Sequence, residues 1–282
     1  IVRATHDGSI GSSSNWLARR GGSWKNAIRA LYCAGSARRS TVNLLLVEPA
    51  EVVEGRIALR DSDRRVHHLR SVLGVAVGSR IRAGIVGGNV GSAEVVADGD
   101  GIVLALDATT PPRPILPVQL VLAVPRPKVL TRVIESAAAF GVERIDLINA
   151  WRVDKSYLHS PRADPDALSL AARFGAEQGA TTHVPPIEVH LRLMPLLDRW
   201  AAPGPELRLI AHPGAPPIER AYRNAPVVLA IGPEGGWIER EVDTFRERGF
   251  LPVSLGAAIL RVEGAVAAAL AQLDLLARTT AP

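Results

Sequence analysis

The sequence predicts an α/β protein in two parts: a small β-barrel over residues 43–110, then a parallel sheet covered by helices over 118–279. Three observations carry this reading. Short strand-like segments separated by glycine turns fill the first part, the pattern of a small barrel. From residue 118 onward apolar strands and helices alternate, which calls for a parallel sheet covered on both faces. Between them, Pro111-Pro112-Arg113-Pro114 with Pro117 forms a stiff linker and the best boundary.

In the first part, Leu44–Val47 and Arg56–Leu59 are strand-like. Asp61 is placed to cap a helix in which Val66, Leu69, Val72 and Leu73 share a face, and Gly74 stops it. Strands follow over Arg80–Val86, Gly91–Val96 and Ile102–Leu106, with Gly87-Gly88-Asn89 turning the chain. In the second part, Val118–Val124 is an uninterrupted apolar strand and a helix runs from Lys128 to Phe140, stopped by Gly141. Strand Arg144–Ile148, a helix over Ala167–Gln178, and strands Leu207–Ala211 and Val227–Ile231 come next. The helices Glu239–Arg248 and Arg261–Ala277 close the chain.

The net charge of +5 is unevenly distributed. Residues 1–41 hold seven basic residues against Asp7 alone, whereas the rest holds twenty-six basic against twenty-seven acidic residues. A polyanion site on the body must therefore be a local patch. The Ser-, Gly- and Arg-rich segment 1–41 has no sustained period, and three readings fit it: a disordered extension, an organelle transit peptide, or a basic RNA-binding arm. The first and last suit a cytoplasmic protein, the second an organelle. No apolar run approaches the roughly 20 residues of a membrane span, so no membrane association is expected. Cys33 is the sole cysteine, which excludes an intramolecular disulfide and a cysteine-based metal site. His67 and His68 have no acidic partner at ligand spacing, so no metal is expected.

Two loops carry the chemistry, because each follows a strand and precedes a helix, and the carboxyl edge of an open α/β sheet is where ligands bind. The first is Ile231-Gly232-Pro233-Glu234-Gly235-Gly236-Trp237; its glycines let backbone groups approach a ligand closely. The second is Leu255-Gly256-Ala257-Ala258-Ile259-Leu260-Arg261-Val262-Glu263, apolar and suited to an adenine or thioether. Either loop alone reads as a tight strand–helix turn. Neither matches the usual nucleotide fingerprints, and Gly84–Gly91 falls among the hairpin turns of the barrel.

Taken together, Gly-Pro-Glu-Gly-Gly on a strand end and Leu-Gly-x-x-Ile-Leu-Arg-Val-Glu about twenty residues later resemble the signature of the SPOUT methyltransferases, most closely the RsmE-type branch, which methylates N3 of a uridine in 16S ribosomal RNA. The resemblance covers about 43–278. It implies a PUA-like barrel that helps to hold RNA, a SPOUT trefoil-knot domain that binds S-adenosylmethionine, and a homodimer acting on small-subunit ribosomal RNA. By this resemblance the cofactor site comprises Ala211, His212, Ile231, Gly232, Pro233, Glu234, Gly235, Gly236, Leu255, Gly256, Ile259, Leu260 and Arg261. Two positions depart from the family pattern: Glu263-Gly264-Ala265 stands where Glu-Thr-Ala is common, and Glu177-Gln178 has no arginine soon after it.

For RNA, two basic sets are candidates. Arg64, Arg65 and Arg70 crowd the barrel helix with His67 and His68, and Arg80 and Arg82 follow on a strand; Arg126, Lys128, Arg152 and Lys155 lie nearer the glycine-rich loop. Arginine forks pair well with phosphate, although a charge run is also an ordinary solvated face. Methyl transfer from a sulfonium asks mainly for positioning. Uridine N3 must lose its proton, so Arg261 is the candidate for charge stabilisation and Glu234 for orienting cofactor or base. Glu234 is equally placed to cap the following helix. Two other functions fit the pattern: methylation of a ribose 2′-oxygen or another base, and a non-catalytic RNA-binding factor in ribosome assembly.

Overall fold

The computed structural model describes residues 44–280. The segment 1–41, whose reading stays open, lies outside the described residues.

A five-stranded sheet comes first: β1 (Leu45–Val47), β2 (Arg56–Arg60), helix α1 (Arg64–Ser71), β3 (Arg80–Ile85), β4 (Val90–Asp98) and β5 (Gly101–Thr110). Its order is β1-β3-β4-β5-β2, so β1 and β2 are its edges and the sheet curls as a half-barrel. Only the β1–β3 pair is parallel. Strict alternation in β2 buries Ile57 and Leu59 and exposes Arg56, Ala58 and Arg60. These side chains join Leu45, Val47, Ile81, Ala93, Val95, Ile102 and Leu104 against Val66 and Leu69 of α1. Asp63, not Asp61, caps α1, its carboxylate accepting the Arg65 N–H at 2.8 Å. Asp61 is instead drawn to the Arg70 guanidinium. Val72, expected on the apolar face, is exposed because the helix ends at Ser71.

The second sheet is built from β6 (Leu116–Ala123), α2 (Pro127–Phe140), β7 (Val142–Ile148), α3 (Lys155–Leu158), α4 (Pro165–Gln178), β8 (Ile187–His190), α5 (Leu193–Leu197), β9 (Leu207–Ala211), α6 (Ile218–Ala221), β10 (Val227–Ile231), α7 (Glu239–Glu247), β11 (Leu251–Val253) and α8 (Val262–Thr280). All six strands are parallel, in the order β11-β9-β10-β6-β7-β8. Every residue of β10 is buried, which in a strand requires cover on both faces. Gly141 ends α2 in the left-handed conformation at φ +78°. Helix α2 packs on α4 and α8. Trp237, Phe245, Phe250 and Trp200 form a chain of edge-to-face and tilted ring contacts at 4.9–5.6 Å.

The half-barrel is docked on α4. Arg173 of α4 donates to the Leu46 carbonyl at 2.6 Å and pairs with Glu48. Thr182 Oγ1 donates to the Gly88 carbonyl at 2.8 Å, and Leu44 and Leu46 bury against Ala176.

Candidate functional site

Six connections leave the carboxyl edge of the parallel sheet, and the strand order decides their neighbours. The β10 loop sits centrally, flanked on one side by the loops after β9 and β11 and on the other by those after β6 and β7.

On the β6–β7 side the loops are tied together by specific bonds. Glu234 Oε1 accepts the backbone N–H of Arg126 at 3.0 Å, and an Arg152 guanidinium nitrogen donates to the Gly235 carbonyl at 2.5 Å. Glu234 therefore does not cap α7; Glu241 does, accepting the Ile238 N–H at 3.0 Å and reaching Trp151 N–H at 2.8 Å with its other oxygen. Gly236 holds φ +71° and closes a turn onto the Pro233 carbonyl at 2.8 Å. A Cβ on Gly232 would meet the Trp237 indole at 3.1 Å, so a larger residue there would push that ring by a few tenths of an ångström. The indole Nε1 there is buried without a hydrogen-bond partner among the described residues. Arg126, Lys128 and Lys155 are exposed, and their side chains make no ion pair among the described residues.

On the other side, His212 donates its backbone N–H to the Val253 carbonyl at 2.9 Å, while its ring Nδ1 lies 2.9 Å from the Pro213 carbonyl. Ser254 N–H reaches the Pro216 carbonyl at 2.8 Å, and Ile218 N–H the Ser254 carbonyl at 3.1 Å. These bonds wall a cavity of about 680 Å³ lined by Gly214, Pro217, Ile218, Glu219, Ser254, Leu255, Gly256 and Ala257, closed by Gln272, Leu275 and Leu276 of α8. Gln272 fixes the loop by donating to the Leu255 carbonyl at 2.9 Å. Gly256 sits at φ +141°, which disfavours any other residue. From Gly256 to Arg261 the chain is exposed, with Ile259 at 89%. Arg261 makes no side-chain bond among the described residues and precedes the first turn of α8. A Cβ on Gly264 would meet Leu260 Cβ at 3.8 Å, an ordinary contact, so packing does not require glycine there.

The cavity thus brings together Leu255 and Gly256 of the expected cofactor residues. Ala211 and His212 adjoin it through the β9–β11 bonds, whereas Ile231–Gly236 form the neighbouring loop and do not line it. Sequence reasoning missed Gly214, Pro217, Glu219, Gln272, Leu275 and Leu276. The apolar period of α8 looked like core, and nothing local marks which of its residues border a hollow.

The arginines of the basic helix α1 are engaged within the protein. Arg65 is 9% exposed and donates to Asp63, Glu51 and the Leu46 carbonyl. Burial alone would weaken its charge, but the bonds to Glu51 and Asp63 hold it charged, and both carboxyls lie below their usual range. Arg64 pairs with Glu177 at 3.0 Å and stacks over the Phe174 ring at 4.4 Å. Arg70 pairs with Asp98 at 2.6 Å and with Asp61. These three guanidiniums have carboxylate partners within the protein, Arg64 at the joint with α4.

A cluster of Asp146, Glu188 and His190 has the composition of a cation site. Asp146 is fully buried and accepts from Gln119 at 2.7 Å, Arg144 at 2.8 Å, His190 at 2.7 Å and Arg199 at 3.3 Å. Both arginines also hold Glu188, at 2.8 and 3.0 Å. The carboxylates are already neutralised by guanidinium groups, which accounts for the cluster without a metal.

The fold is an α/β parallel sheet with a cavity at its carboxyl edge, and comparison with known proteins gives the class. Residues 111–274 match the RNA methyltransferase domain family, and the chain belongs to it. A relative from Treponema pallidum, ribosomal RNA small subunit methyltransferase E, is 29% identical over 238 residues, 82% of this chain and 90% of that protein. The protein of the same name from Synechocystis is 27% identical over 238 residues, 82% of this chain and 77% of its own length. The structure of ribosomal RNA small subunit methyltransferase E from Neisseria gonorrhoeae bound to S-adenosylmethionine has a TM-score of 0.67 at 22% identity, covering 83% of this chain and 98% of that one. A putative methyltransferase from Legionella pneumophila, in complex with the same cofactor, gives 0.67 at 24%, covering 83% and 97%. At these identities the structures speak for the fold, an RsmE-like half-barrel followed by a SPOUT-type parallel sheet.

Proposed function

We propose that this protein transfers a methyl group from S-adenosylmethionine to N3 of a uridine in small-subunit ribosomal RNA, in the cytoplasm and as a homodimer with a knotted catalytic domain. The observation that carries this is the division of one sheet edge into a roomy cavity after β9 and β11 and a set of cations after β6 and β7 that make no ion pair among the described residues, with the glycine-rich loop between. In this reading residues 44–110 help to hold RNA and 116–280 carry the reaction.

The residues fit the cofactor. A cavity of about 680 Å³ falls in the ordinary range for small-molecule sites, roughly 300–1,000 Å³. Pro217, Ile218, Leu255, Ala257, Leu275 and Leu276 offer apolar walls for an adenine and thioether; Glu219, Ser254 and Gln272 add polar groups, and Glu219 a charge opposite to a sulfonium. The buried Trp237 N–H beneath Gly232 is a donor left for an acceptor beside this edge. When bound, S-adenosylmethionine supplies an electrophilic methyl group on positively charged sulfur. The protein's own tasks are alignment and charge. Arg261 stabilises the negative charge left on the uracil ring when its N3 proton passes to solvent water. Glu234 is a positioning residue that locks the β10 loop to Arg126, and Arg126, Lys128, Arg152 and Lys155 receive phosphates.

Calorimetric titration of the full chain with S-adenosylmethionine should give saturable binding; none up to millimolar cofactor would refute the reading. Replacing Arg126 and Lys128 together by Ala should flatten the log–log salt dependence of RNA binding by about 1.4 to 1.8 in slope. Cofactor affinity in that variant should stay within a factor of about 2, since the cavity lies on the other side of β10.

A further inference from the structure

Among the described tryptophans, Trp151 is the one that this fold leaves in water. Trp200 and Trp237 are 6% and 8% exposed, whereas Trp151 is 79% exposed. A large aromatic surface left in solvent is a lost opportunity for burial, and loop flexibility does not explain it. The Trp151 N–H is held by Glu241 at 2.8 Å, and Glu241 is itself 8% exposed and bonded to Ile238. Ala150 and Val153 on either side are buried and closed by a Val153 N–H to Ala150 carbonyl bond of 3.0 Å. Arg152, the next residue, is pinned to Gly235. The backbone is thus anchored at Ala150, Trp151 and Val153, the Arg152 side chain is pinned between them, and the indole stands in solvent.

Its surroundings select the partner. Arg152 lies in the same loop and Lys155 opens α3 just after it, while Arg126 lies in the loop of the adjacent strand and Lys128 in the first turn of α2; none of the four side chains is paired with a carboxylate among the described residues. An outward aromatic among unpaired cations is the arrangement that binds unstacked RNA: cations take phosphates and the ring takes a base face. The strand order sets which base. Strand β7 lies three positions from β9 and four from β11, and at about 4.8 Å per strand the Trp151 loop is roughly 14–19 Å from the cavity. That is too far for the base receiving the methyl group.

We propose that Trp151 is a stacking platform for an unpaired RNA base flanking the methylated nucleotide, a positioning role that rests on the RNA-methylating function above. The test uses the full chain, deproteinised small-subunit ribosomal RNA, and the variants Trp151→Ala and Trp151→Phe. Trp151→Ala should weaken RNA binding roughly 5- to 150-fold, the usual cost of one base–aromatic stack, with the salt slope unchanged because no phosphate contact is lost. Trp151→Phe should recover most of the affinity. Melting temperature and S-adenosylmethionine affinity should match wild type in both. If Trp151→Ala binds the RNA as wild type does, or with a smaller salt slope, the stacking role is refuted while the function stands. If Trp151→Ala instead changes the sedimenting mass from dimer to monomer, the indole meets a second copy of the chain and the proposal falls. If wild type itself does not bind this RNA, both readings fall together.

Discussion

Arg261→Ala should lower the single-turnover rate of methyl transfer by about 10²- to 10³-fold, the usual cost of removing one donor aimed at developing negative charge. RNA and cofactor affinities should change by no more than a factor of about 3, because a group that acts mainly in the transition state adds little to ground-state binding. The structure makes this a clean substitution. Arg261 is exposed and holds no other described residue, so its loss breaks no bond of the fold, and the melting temperature should not move. Matched losses of RNA affinity and rate would instead make Arg261 a phosphate contact, and the account of N3 deprotonation would need another cation.

Asp146→Ala should destabilise the chain by about 3–5 kcal/mol, the range for removing one partner from a buried ionic network. Asp146 is the hub on which Gln119, Arg144, His190 and Arg199 converge. Without it, the half-buried Arg144 and His190 lose their shared acceptor. Burial raises the Asp146 pKa, but the hydrogen bonds from Arg144, Gln119 and His190 outweigh it and hold the carboxyl below its ordinary value. A depressed folded-state pKa contributes stability that is present above the unfolded carboxyl value, near 3.9, and is lost as pH falls below that toward the folded value. Denaturant unfolding of wild type should therefore weaken from about pH 4 downward, and Asp146→Asn should show a shallower acid slope. A variant as stable as wild type at neutral pH would mean that the network is neutral to the fold.

The parts of the fold legible in the sequence are those with local causes. Helix α2 is announced by its apolar period and by Gly141, which the structure holds at φ +78°. β10 is announced by five consecutive apolar residues, all buried. β8 and β11 went unseen because four and three residues, one set following two prolines and the other containing Pro252, give too short a pattern to count. The two loops of the candidate site were legible as motifs, yet their division of labour was not. The cavity takes its far wall from Gln272, Leu275 and Leu276, whose spacing in α8 is that of any packed helix. The partners of the basic run of α1 were not legible either: Glu177, which holds Arg64, is 113 residues away, and a charge run does not show its distant partner. Trp151 carries no sequence mark at all, since only burial distinguishes it from Trp200 and Trp237.

The most direct test of the central claim is to incubate the purified chain with small-subunit ribosomal RNA from cells lacking the corresponding modification and S-adenosylmethionine labelled on its methyl group. The RNA is then digested to nucleosides and the labelled product identified by mass. The account predicts label in 3-methyluridine, at one site per RNA molecule and dependent on Arg261. Label in a 2′-O-methylated nucleoside or another base, or no transfer by a chain that binds both RNA and cofactor, would contradict it.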